Sequence, residues 1–125
     1  MTIHVPPQIP SRDPPLIAFV GEAPSTEELE HGKPLVGPSG RVFNAMLRTA
    51  QLDRAEFLIT NVFDEKLPDN DVSNWCVPLR DARALGITDI PPIGAAGFLS
   101  LDHRHHLDRL KQEMERWKPS VIVPL

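Results

Sequence analysis

Leu16-Ile17-Ala18-Phe19-Val20 is an unbroken apolar run, the pattern of a parallel strand covered on both faces, and Gly21 ends it. Pro6, Pro7, Pro10, Pro14 and Pro15 precede it and predict an extended Pro-rich arm over residues 1–15 rather than a helix. Ser25 and Glu28 stand at capping-box spacing, which predicts a helical turn from Thr26; Pro34 and Pro38 prevent a longer one. Ser39 reads as the cap of a second helix whose apolar stripe is Val42, Phe43, Met46, Leu47 and Ala50. Phe57–Val62 predicts a second strand.

Residues 63–100 show no sustained period, and a stretch of that length without regular structure is often functional. Asp102 reads as the N-cap of a last helix with the stripe Leu107, Leu110, Met114 and Trp117. Pro119 stops it, and Ser120–Leu125 predicts a third buried strand. Strands alternating with helices predict an α/β domain, a three-layer α/β/α sandwich around a short parallel sheet.

At 125 residues the chain holds one domain with a single core. The net charge of −4 argues against a tight, non-specific nucleic-acid clamp, although Arg41, Arg48 and Arg54 offer a local basic face. Cys76 is the single cysteine, so neither an internal disulfide nor a four-cysteine cluster is expected. No apolar stretch of membrane-spanning length and no signal-peptide pattern occurs; the expected location is the cytoplasm.

Candidate chemistry concentrates where strands end, because α/β sheets bind ligands beyond their carboxyl edges. Both the Gly21–Ser25 turn and Asn61 lie at such ends. Gly21 permits close approach of a ligand to backbone, Glu22 is either a functional carboxylate or a surface residue, and Asn61 either recognises a polar edge or caps a turn. His103 and His106 have the i, i+3 spacing of a shared metal site, but no carboxylate signature accompanies them in sequence; they read as polar residues at a helix start. Gly32-Lys33 is not a P-loop, since Pro34 stands where a hydroxyl residue is required. Trp117 reads as core, and Trp75 either covers the site or plugs a core edge.

The segments Gly21-Glu22-Ala23-Pro24-Ser25, Gly32-Lys33-Pro34-Leu35-Val36-Gly37 and Leu58-Ile59-Thr60-Asn61-Val62, in that order, resemble the uracil-DNA glycosylase superfamily, closest to its family-4-like bacterial and phage branch. The resemblance implies the corresponding fold and a DNA-repair hydrolase that flips uracil from DNA and cleaves its N-glycosidic bond. It implies that Glu22 is catalytic, orienting water or stabilising the sugar cation. Gly21, Ala23, Pro24, Leu35 and Asn61 would bind the base, and Ser39, Gly40 and Arg41 a DNA phosphate. Backbone N–H groups from Glu22 onward, Pro24 excepted, would donate to the leaving base. An Asn61 amide accepts from uracil N3–H and donates to O4, whereas cytosine presents the reverse pattern; the choice holds only if the amide orientation is locked.

Three departures from the family qualify this reading. Leu35 stands where relatives usually carry an aromatic, which weakens stacking on the base. Family-4 members usually hold an iron–sulfur cluster on four cysteines, so with Cys76 alone no cluster, metal or other cofactor is expected. The family continues beyond a strand like Ser120–Leu125 with a helix, a fourth strand and a His-Pro motif. The resemblance therefore spans about two thirds of the family domain. The expectation is weak or absent catalysis and an exposed sheet edge that favours self-association. Three readings stay open: an active glycosylase acting on uracil-containing DNA, a non-catalytic nucleic-acid- or protein-binding module on the same fold, and a truncated gene product.

Overall fold

The computed structural model describes residues 2–125. In chain order it contains β1 (Ile17–Gly21), α1 (Thr26–His31), α2 (Pro38–Thr49), β2 (Leu58–Asn61), β3 (Cys76–Val77), α3 (Leu79–Leu85), β4 (Phe98–Leu99), α4 (His105–Trp117) and β5 (Val121–Pro124), with short 3-10 turns between them. The three apolar runs pair as a parallel sheet in the order β2-β1-β5. Ala18 on the central strand β1 and its register partner Leu58 on β2 are wholly buried, as expected of strands covered on both faces. β3 and β4 form a separate antiparallel pair.

Strand alternation divides the core. Phe19 and Ile59 point to one face, where Phe43 and Leu47 of α2 and the adjoining Phe57 cover them. The Phe19 ring meets Phe43 and Phe57 edge-on, at 4.8 and 5.4 Å between centroids. On the opposite face the Thr60 hydroxyl donates to Glu113 Oε1 of α4 at 2.5 Å. Beyond the strand ends, Phe63, Leu67 and Leu99 make a second cluster, with Trp75 and Leu107 against it. The layers are helix, sheet, helix, as the sequence pattern predicts.

Several local expectations are corrected. Gly37, not Ser39, is the N-cap of α2; Pro38 occupies the first helical position, where its missing N–H costs nothing. Only Phe43 and Leu47 of the α2 stripe are buried, while Val42 and Met46 stay exposed. Asp102 lies in a 3-10 turn, and α4 begins after Arg104 with no side-chain cap. Trp117 is half-buried, with the Arg116 guanidinium 4.0 Å above its ring. The Pro-rich arm is extended but docked. Gln8 bridges Ile59 of β2 in antiparallel fashion, the Val5 amide donates to the Asp64 carbonyl at 2.8 Å, and Val5 is buried.

Residues 63–100 fold as 3-10 turns, α3 and the β3–β4 pair, anchored by buried Phe63, Leu67, Ala82, Ile87 and Leu99. Each piece is too short to show a period. The third strand forms but is not buried as expected: β5 is the outer strand of the sheet, and Val121 and Ile122 are exposed on it. Among the described residues no helix is long and apolar enough to cross a membrane.

Candidate functional site

β1 and β2 end side by side, with Gly21 and Asn61 as register partners. A cavity of about 270 Å³ opens there, lined by Gly21, Glu22, Ala23, Leu35, Ser39 and Asn61 together with Ser25, Glu28, Gly37, Pro38 and Leu125. Six of the residues expected from the sequence thus line one cavity. A larger groove of about 540 Å³ lies beyond Gly21 and Glu22, but its lining is almost wholly apolar (Val62, Phe63, Ile90, Leu99 among them) and lacks the polar edge that base recognition needs.

Gly21 is a requirement of this geometry. A Cβ there would lie 2.5 Å from Asn61 Oδ1, closer than real carbons approach. The Asn61 main chain is held by Arg109, whose Nη2 donates to the carbonyls of Asn61 and Val62 at 2.6 and 2.8 Å. Arg109 is itself paired with Glu113 one helical turn on. The strand end is therefore clamped from α4 while the Asn61 amide group lines the cavity.

The opposite wall depends on Glu28. Its carboxylate accepts the Ser25 amide at 2.7 Å and the Ser25 hydroxyl, completing the capping box predicted from spacing. It also accepts the Leu35 amide at 3.0 Å, seven residues on. Burial of a carboxylate is sustained by these three donors. The Ser25 N–H is consumed in this way and does not face the cavity as a free donor, which narrows the backbone donors expected for a leaving base to those of Glu22 and Ala23.

Leu35 adopts a left-handed conformation at φ 56°. Arg54 holds it and its neighbour, donating from Nη1 to the Leu35 carbonyl at 2.9 Å and from Nη2 to the Pro34 carbonyl at 2.8 Å. Nη1 also reaches Asn44 Oδ1, and Nε reaches Gln8 Oε1. Burial shifts the Arg54 pKa downward. Arg54 therefore braces the loop from within and does not join Arg41 and Arg48 in a basic face.

Three expected residues sit apart from the cavity wall. Pro24 is fully buried. Gly40 is buried where a Cβ would lie 2.1 Å from the Leu35 carbonyl oxygen, so its lack of a side chain admits the loop against α2. Arg41 is exposed and lies 3.6 Å from Glu27. Trp75 stacks on His103 at 4.1 Å and meets Phe63 edge-on, so it plugs the second cluster instead of covering the cavity.

No carboxylate signature accompanies the histidines of α4 in sequence, yet the fold supplies acidic partners. Asp64 and Glu65, just past β2, lie beside His106, His105 and His4. Burial pushes the His106 pKa down to about 4, aided by the neighbouring His105 and against the pull of Asp64, so the imidazole is neutral at neutral pH. The positioning roles of Arg54 and Arg109 and this cluster escaped the sequence reading; the one local signal was the i, i+4 spacing of Arg109 and Glu113.

The sequence profile of the uracil DNA glycosylase superfamily matches residues 6–125. A type-4 uracil-DNA glycosylase of Archaeoglobus fulgidus is 43% identical over 54 residues, 43% of this chain and 27% of that protein. One from Sulfurisphaera tokodaii is 40% identical over 73 residues, 54% of this chain and 33% of the relative. One from Pyrobaculum aerophilum is 36% identical over 89 residues, 67% and 45% respectively. The chain thus matches less than half the length of these relatives.

Proposed function

Because the chain belongs to the uracil DNA glycosylase superfamily, we propose that its cavity at the ends of β1 and β2 receives a uracil flipped out of DNA and that the protein hydrolyses the N-glycosidic bond. The observation that carries this reading is the meeting of Gly21, Glu22, Leu35, Ser39 and Asn61 in one cavity of base-recognising polarity. In the reaction the bond from the sugar C1′ to uracil N1 breaks, and its electron pair leaves with the base. The amides of Glu22 and Ala23 stabilise the negative charge at the uracil O2. Water adds to C1′, and its proton is lost to solvent or the departing base. Glu22, exposed at the cavity rim, orients that water or offsets the positive charge on the sugar. Asn61 reads the N3–O4 edge, and Leu35 covers the ring without aromatic stacking. Ser39, in the first turn of α2, meets a flanking phosphate, with Arg41 outside it.

The setting proposed is repair of uracil-containing DNA in the cytoplasm. Self-association through the exposed β5 edge is a further part of the reading, tested by sedimentation of the purified protein.

Single-turnover uracil release from a uracil-containing oligonucleotide tests the activity, beside binding of the same oligonucleotide. Release that falls with Glu22→Gln supports the catalytic reading. Binding that depends on Asn61 without any release would make the protein a uracil-recognition module. Absence of both uracil release and uracil-dependent binding would overturn the proposal.

A further inference from the structure

Three separate stretches of chain bring ligating side chains together beyond β2. The arm contributes His4, the exit from β2 contributes Asp64 and Glu65, and the first turn of α4 contributes His105 and His106. Glu65 Oε1 lies 3.7 Å from His106 Nε2, 4.0 Å from His105 Nε2 and 3.9 Å from His4 Nε2. The ligating atoms of Glu65, His105 and His106 all fall within 4.8 Å of one another.

His106 makes this more than a charged surface. It is 1% exposed, and neither ring nitrogen has a hydrogen-bond partner. Burying an imidazole with both nitrogens unmatched is costly, and such a group calls for a partner that the chain does not itself supply. Stacking on Trp75 and edge contact with Phe63 hold the ring in place with Nε2 toward Glu65.

We propose that Glu65, His105 and His106 bind a divalent transition-metal ion, zinc by the chemistry of the donors. Zinc takes imidazole nitrogen and carboxylate oxygen at about 2.0–2.2 Å, which sets neighbouring ligands about 3.3 Å apart in a tetrahedron. The observed 3.7 and 4.0 Å separations reach that by side-chain adjustment alone. Asp64 completes the arrangement from outside. Its Oδ1 lies 3.4 Å from His106 Nδ1, the position of the carboxylate that orients a metal-bound histidine by taking its other N–H. His105 is exposed, so solvent reaches this side of the cluster, and His4 Nε2 lies 3.9 Å from Glu65 Oε1. A nitrogen-and-oxygen donor set suits zinc and does not suit an iron–sulfur cluster. The ion would join the exit of β2, four residues beyond Asn61, to the start of α4.

The test uses the full chain, stripped with a chelator and titrated with cobalt(II) or zinc(II) alone. Glu65→Ala and His105→Ala remove ligands at half-buried and exposed positions, and His31→Ala removes an exposed histidine outside the cluster. Expected are one equivalent of metal per chain and visible cobalt bands of a four-coordinate ion. Affinity should drop at least tenfold in each ligand variant and stay unchanged in His31→Ala. Zinc should raise the melting temperature of the parent and of His31→Ala but of neither ligand variant. No saturable binding, or equal affinity in the parent and both ligand variants, would overturn the site. The readout is metal binding, so it stands or falls independently of uracil release.

Discussion

Gly21 and Asn61 face each other across the parallel β1–β2 pair so closely that the asparagine side-chain oxygen lies 2.5 Å from where a Cβ of residue 21 would stand. The smallest residue on one strand thus makes room for the functional amide of the next. Gly21→Ala is therefore expected to displace the Asn61 amide and weaken binding of a uracil-containing oligonucleotide about tenfold or more, roughly 1.4 kcal/mol. Fluorescence anisotropy measures this, with circular dichroism as the check on folding. Undiminished binding would remove the close approach from the recognition argument.

Asn61→Asp removes the NH2 donor that matches uracil O4 and sets a carboxylate in its place. Uracil preference should fall and the balance shift toward cytosine-like edges, whose exocyclic amine donates. Competition between uracil- and cytosine-bearing oligonucleotides reads the ratio; an unaltered preference with binding intact would sink the assignment.

Glu28 joins the α1 cap to the Leu35 loop through one buried carboxylate. Glu28→Ala strands the amides of Ser25 and Leu35. Hydrogen bonds to a charged group contribute about 1.5–3 kcal/mol each, so a loss of at least that order is expected in urea unfolding. Base binding should weaken as well, because Leu35 forms a cavity wall. A variant as stable as the parent would show that the loop is held by other contacts.

Arg54 donates to Pro34, Leu35, Asn44 and Gln8 from a single planar group. Lysine has no planar fork to replace it. Arg54→Lys should lose most of what Arg54→Ala loses, about 2 kcal/mol or more. Near-complete rescue by lysine in the same denaturation measurement would mean that charge, not fork geometry, holds the loop.

A lone cysteine cannot supply the ligands of an iron–sulfur cluster within one chain. Burial raises the Cys76 pKa, which leaves the thiol poorly reactive as well. Anaerobically purified protein should be colourless and free of sulfide, and Cys76→Ser should leave both stability and metal content nearly unchanged. Stoichiometric iron with sulfide would contradict this.

Much of the molecule was legible in the chain. Three apolar runs announced three parallel strands, and for β1 and β2 the burial they implied is present, whereas β5 is an outer strand whose Val121 and Ile122 are exposed. The Ser25–Glu28 spacing announced the α1 cap, since a capping box needs nothing beyond four consecutive residues. Gly21, Glu22 and Asn61 are legible as site candidates because position at a strand's carboxyl end is itself a sequence property, whereas Leu35 is singled out only by the family resemblance. Tertiary structure decided the remainder. Arg54 reads in sequence as one more surface cation; its burial depends on a loop 20 residues away. Gly40 reads in sequence as a phosphate-loop glycine, and only the fold sets the Leu35 carbonyl against it. The histidines of α4 have no carboxylate signature in their own stretch, and Asp64 and Glu65 reach them only because α4 packs beside the exit of β2. Local spacing encodes caps, periods and strand ends because their partners lie within a few residues. Contacts such as Glu65 with His106, separated by some forty positions, exist only once the layers have closed.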